Sequence, residues 1–173
     1  MAISLYDATV AGFLQVLGAA EGFLQKGRAH CEAQAIDLNG VVESRLIGDM
    51  APFRFQVTQI AHHTAGAVAG VKAGLFSPDS GPPDADYAAL QKLVADARAT
   101  VAAVTPDEIN ALEGKDVLFQ FGEMKMPFTA ENFLLSFSTP NVHFHATTAY
   151  DILRGKGVPL GKRDYMGRPR VKG

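Results

Sequence analysis

The stretch from Tyr87 to Val104 constrains the fold more than any other part of the chain. Tyr87, Leu90, Val94, Ala97, Val101 and Val104 recur in steps of three and four. That spacing puts all six on one stripe of an α-helix and scatters them over both faces of a strand. A stripe of this kind, with polar residues around the rest of the cylinder, has to be buried against other helices.

Three further segments repeat the pattern. In the first, Tyr6, Val10, Phe13, Leu17, Ala20 and Leu24 form one stripe, opened by Ser4 with Asp7 in the first turn and fading near Gln34. The second opens at Pro52, carries Phe53, Val57, Ile60, Thr64, Val68 and Val71, and ends before the prolines and glycine that follow Phe76. The fourth is capped by Thr129, runs from about Ala130 to Arg154 and stops at Gly155 and Gly157, with a kink expected at Pro140. Its stripe is centred on Phe133, Phe137, Phe144, Thr148 and Ile152. Four such helices predict an all-α four-helix bundle, one domain over residues 1–173 with a basic tail from about residue 155.

The connections carry their own signals. Residues 37–46 read as a turn plus a short helical piece, and Thr105-Pro106-Asp107-Glu108 starts another helical turn. Between Asp116 and Phe128 the helical rhythm gives way to alternation around Gly122-Glu123, which predicts a small β-hairpin just before the last helix.

Composition excludes several classes of function. At 47% hydrophobic and 20% charged residues the chain has the make-up of a soluble globular domain. A net charge of -2 favours neither nucleic acid nor membrane as partner for the body of the protein. The leading segment has no basic cluster and carries Asp7 within its apolar run, which argues against a secretory signal. The lone Cys31 cannot form an internal disulfide, and cytoplasmic residence is expected. No glycine-rich phosphate loop, nucleophile motif or Cys-x-x-Cys pair occurs. The tail from Gly155 holds six Lys/Arg against one Asp, with Val158, Leu160, Tyr165 and Met166 available to pin it to the bundle.

The five histidines are the candidate chemistry. At roughly 100° per residue, His143 falls about 130° from the centre of the fourth stripe and His145 about 65°. On the second helix His62 points away from the stripe and His63 sits at its flank. His63 and His145 are therefore the two expected inside, and Asn141 and Thr148, four before and three after His145, line the same side. His30 falls near the end of the first helix, where a cation is favourable. A catalytic zinc wants three protein ligands and an open position. His63 and His145 supply two, and no spacing rule selects Asp7, Glu43 or Asp49 as a third. The residues thus favour a metal-free polar pocket over a bound divalent metal.

The runs SLYDATV, DMAPFRFQVTQIA and NFLLSFSTPNVHFHATTAYDILRGKGVPLGKRDY, spread over about Ile3 to Tyr165, resemble a bacterial family of unknown function within the DinB/YfiT-like four-helix bundles. The resemblance implies a DinB/YfiT-like bundle, often a homodimer, and in many relatives a divalent metal (zinc or nickel) held by three histidines. Some relatives are thiol S-transferases. In the metal-binding relatives the last helix supplies a His-x-x-x-His pair. Here its second position is His145 but its first is Asn141, and the second-helix histidine falls at or near His63. Three readings follow. One is a small-molecule pocket lined by His63, Asn141, His145 and Thr148. Another is a divalent-metal-dependent hydrolase or S-transferase with His63 and His145 as ligands. The third is a non-enzymatic homodimeric interaction protein.

Overall fold

The computed structural model of the protein describes residues 3–172, so Met1, Ala2 and Gly173, the ends of the predicted single-domain span, lie outside the described residues. Four long rods form the bundle. The first stripe becomes a short α1 (Leu5–Ala8) and a long α2 (Val10–Ala33), separated where Thr9 leaves helical geometry and its hydroxyl donates to the Leu5 carbonyl at 2.6 Å. The second rod, α4, is continuous through Phe53–Ala61, a π-helical turn His62–Gly66 and Ala67–Ala73, and Gly74 at φ +73° terminates it. The third is α5 (Tyr87–Ala102), whose N-cap Asp86 accepts from the Ala89 amide. The fourth, α7, comprises Ala130–Asn132, a second π-helical turn Phe133–Ser138 and Thr139–Gly155. The pieces α3 (Leu38–Val42), α6 (Pro106–Asn110) and α8 (Lys162–Met166) are short, and α6 carries the capping box read from Thr105 and Glu108.

In the bundle α4 packs between α5 and α7, and α2 closes the ring on their other side. Phe13, Phe23, Phe53 and Phe133 are wholly buried at its centre, each contributing roughly 1.5–3 kcal/mol by leaving water. Tyr87 shows how tightly the rods fit. Its ring stacks on Phe53 at 5.8 Å and its hydroxyl donates to the Leu24 carbonyl at 2.9 Å. A Cβ added at Gly27 would collide with that hydroxyl.

The hairpin forms as read: β2 (Asp116–Phe121) pairs antiparallel with β3 (Met124–Thr129), turning at Gly122, φ +56°. A third strand, β1 (Leu75–Phe76), adds parallel to β2. At two residues it is too short for any alternation to announce it.

At Pro140, where a kink is expected, the helix follows directly on a π turn that ends two residues earlier. Thr139 Oγ1 donates to the Leu134 carbonyl at 2.8 Å and Asn141 Nδ2 to the Phe137 carbonyl at 2.7 Å, so side chains serve oxygens in the widened turns. The extra residue also corrects the predicted stripe. Phe144, placed at its centre by regular counting, is 56% exposed, while Val142, His145, Ala146 and Ala149 face inward. A single insertion makes each later residue take the place of the one before it, a turn of about 100°. The step from Phe137 to Val142, five residues rather than three or four, is its trace in the sequence.

Candidate functional site

His63 sits in the π turn of α4 and His145 in α7, 5% and 9% exposed. Their rings lie nearly parallel, 14° apart in plane, with centroids separated by 5.9 Å. Phe137 and Phe76 flank His63 at 5.7 and 5.5 Å, and Phe55 meets His145 edge-on at 5.8 Å. The neighbouring histidines turn away. His143 is exposed, its Nδ1 3.1 Å from the Tyr165 hydroxyl. His62, expected to point outward, is instead half-buried: it stacks on Phe76 at 4.3 Å, and its Nε2 lies 2.9 Å from the Ser77 carbonyl. The strand β1 and the loop after it cover that side of α4.

Hydrogen bonding fixes the state of one ring. Gln56 is 1% exposed; its Nε2 donates to the Ala51 carbonyl at 3.0 Å, which turns its Oε1 toward His145 Nδ1 at 2.8 Å. Nδ1 of His145 is therefore the protonated nitrogen, and Nε2 is left as an acceptor. His63 Nδ1 is buried with no hydrogen-bond partner. Of the other two predicted pocket residues, Asn141 is half-buried and bonds to Phe137 of its own helix, and Thr148 donates to the Phe144 carbonyl at 2.8 Å. The structure thus brings His63 and His145 together across two helices, whereas the hydrogens of Asn141 and Thr148 stay within α7. Gln56 was missed by sequence reasoning. It precedes His63 by seven residues, two helical turns, and that spacing was the available signal.

Burial controls the titration of the pair. Loss of solvent, followed by the proximity of His62 and His145, pushes the His63 pKa down to about 3. Loss of solvent pushes that of His145 down to about 4. Both rings are accordingly neutral at neutral pH. A general base works best with a pKa near the operating pH, and these two lie far below it. At neutral pH both rings are therefore present as neutral hydrogen-bonding groups.

The residues do not fit a three-ligand metal site. Around the two imidazoles stand amides and phenyl rings, and among the described residues no group of three or more His, Cys, Asp or Glu side chains gathers to hold an ion. Two of the three carboxylates considered as a third ligand are engaged elsewhere: Asp7 accepts from Ser4 Oγ at 2.8 Å, and Glu43 pairs with Arg54 at 2.8 Å. Asn141 offers only a neutral amide, a weak ligand beside an imidazole or a carboxylate.

A cavity of about 290 Å³ opens on the other side of α4, against α5 and the loop after β1. Thr58, His62, Asp79, Asp96 and Thr100 are its polar lining, so it takes in His62 and not His63. No helix among the described residues is long and apolar enough to cross a membrane.

Comparison with known proteins places this geometry. The model of a family described as a domain of unknown function (DUF1993) matches residues 5–166. Among solved structures, a DinB family member from Shewanella denitrificans is similar, with a TM-score of 0.78 and 26% identity over 98% of this chain and 95% of that one. No curated protein matches.

Proposed function

We propose that this chain, which belongs to the family described as a domain of unknown function (DUF1993), is a small-molecule-binding bundle of the DinB type. In this reading the polar seam between α4 and α7 recognises its ligand through neutral imidazoles, without a metal and without proton transfer. His63 and His145 are the central contacts, and Asn141 and Thr148 form the border. One observation carries the reading: two stacked, uncharged rings offer acceptor nitrogens at a buried seam, and His63 Nδ1 has no protein group to bond. An unsatisfied buried polar atom costs about 1–3 kcal/mol, and such atoms in native proteins call for an explanation such as a guest molecule or water. The expected ligand is small, uncharged and rich in hydrogen-bond donors.

Ligand-observed NMR with a library of neutral amides, ureas and alcohols tests the reading on wild type, His145→Ala and Asn141→Ala. Saturable binders should be lost in His145→Ala and weakened in Asn141→Ala, whose side chain bonds only its own helix. Binders that persist equally in both variants, or a library without a single binder, would refute it.

Homodimer formation is a second reading, favoured by Phe144, a phenyl ring 56% exposed in the middle of a bundle helix. It predicts a melting temperature that rises with protein concentration in wild type but not in Phe144→Ser. A concentration-independent melt in wild type would remove it.

A further inference from the structure

The basic tail does not hang free. Lys26 pairs with Asp164 of α8 at 2.6 Å, Gln15 Nε2 donates to the Met166 carbonyl at 2.8 Å, and Arg170 Nη1 donates to the Asp7 carbonyl at 3.2 Å. Val158 and Leu160, on the approach to α8, are buried. Gly167, at φ +62°, then lies so close to α2 that a Cβ there would stand 3.2 Å from both Ala19 Cβ and the Gln15 carbonyl. The tail is thereby laid along α2, opposite α5.

This docking gathers charge. A cavity of about 420 Å³ lies between α2, α5 and the tail, and its lining includes Gln15, Gly18, Arg98, Arg168 and Arg170. The Arg98 guanidinium lies over Gly18, 3.8–3.9 Å from where a Cβ would be. Three guanidinium side chains share the cavity, and one carboxylate answers them. Glu21 holds Arg98 at 2.6 Å, Arg170 has a neutral carbonyl, and Arg168 has no carboxylate partner among the described residues. Like charges held together favour an anion between them. They stand out in a chain whose net charge is -2.

We infer that this cavity is a binding site for the phosphate group of a small phosphorylated molecule, separate from the seam between α4 and α7. Guanidinium forks match phosphate oxygens two at a time, and a phosphate can accept from three forks at once where a carboxylate is used up by one. The volume falls within the ~300–1,000 Å³ usual for small-ligand pockets. A concave site bounded by two helices and a folded-back tail suits a compact anion better than an extended strand or a flat bilayer.

Calorimetric titration of the full chain with pyrophosphate, at low and at physiological salt, tests the inference. Saturable one-to-one binding is expected, weakened by salt as partly exposed charge pairs are. Arg168→Gln and Arg170→Gln should each weaken it roughly tenfold, with circular dichroism unchanged. Arg45→Gln, which removes the same charge outside this cavity, and His145→Ala, in the other seam, should leave it unaltered. Unsaturable heats would overturn the assignment. So would equal weakening by Arg45→Gln, or retention of wild-type affinity in the Arg168→Gln/Arg170→Gln double variant. Capture by phosphatidylglycerol vesicles or single-stranded DNA without pyrophosphate binding would likewise overturn it.

Discussion

Acid should unfold this protein partly through His63. In the unfolded chain a histidine titrates near 6.5, whereas burial holds His63 down to about 3 in the fold. The unfolded state therefore binds the proton more readily between those values, and stability falls as pH falls. Above pH 6.5 the ring is neutral in both states and the contribution is complete. Linkage gives a loss of about 1 kcal/mol at pH 6 and about 2 kcal/mol at pH 5 for His63 alone, relative to pH 8. His145, held down to about 4, loses a similar amount at pH 5, so the pair removes about 4 kcal/mol there. That is a large fraction of the ~5–15 kcal/mol that separates folded from unfolded domains. Other groups also titrate over this range, so the measurement is a difference of differences. Urea unfolding followed by far-ultraviolet circular dichroism, at pH 8 and pH 5, is compared between wild type and His63→Phe. Phenylalanine keeps the aromatic packing against Phe76 and Phe137 and cannot take a proton. Wild type should lose about 2 kcal/mol more than the variant between the two pH values. Equal losses would refute the buried, neutral state of His63 and with it the electrostatic basis of the site.

Other substitutions probe the scaffold around the pair. Gly27→Ala would ordinarily gain up to about 1 kcal/mol in a helix interior, but its Cβ would strike the Tyr87 hydroxyl and lie 3.1 Å from Leu153. Overpacking of about 1–3 kcal/mol should win, and thermal melting should fall; a rise would mean that Tyr87 can move aside. Gln56→Leu should destabilise by about 1–3 kcal/mol by stranding the His145 Nδ1 proton, and nitrogen NMR should report a shift toward the Nε2-protonated ring. An unchanged tautomer would show that Gln56 does not set it. Cys31 is fully buried and its thiol pKa is raised by burial, so a thiol reagent should modify it only after unfolding; rapid reaction in native buffer would contradict its placement.

Much of the architecture was legible because amphipathic rods announce themselves. The stripe from Tyr87 to Val104 and the capping box at Thr105 depend only on local spacing, and α5 and α6 form from them as read. The inward His63 and His145 and the outward His143 were also legible, since neighbours on a helix point about 100° apart. What escaped depends on contacts between distant segments. β1 exists only because β2 lies beside it, and the half-burial of His62 follows from that strand. Gln56 matters only because α7 brings His145 to it. The docking of α8 rests on Lys26 and Gln15, more than 130 residues earlier in the chain.

The displaced stripe of α7 had a local cause, and its logic can be tested. Regular counting put Phe144 inside and His145 at the border; in the fold His145 occupies the inward position and Phe144 faces out. If one extra residue in the π turn Phe133–Ser138 causes this, His145 sits where residue 144 of a regular helix would be. Removing one residue from inside the turn should then let it close into α-helix without rotating anything beyond it. Deletion of the exposed Ser136 is accordingly expected to keep His145 buried and its pKa near 4, as read by NMR titration. Deletion of the exposed Thr147, beyond the turn and outside the pair, should disrupt packing from Ala149 to Leu153 instead. A Ser136 deletion whose His145 titrates like a solvent-exposed histidine would mean that the turn holds no extra residue and that the phase turning this imidazole toward His63 has another origin.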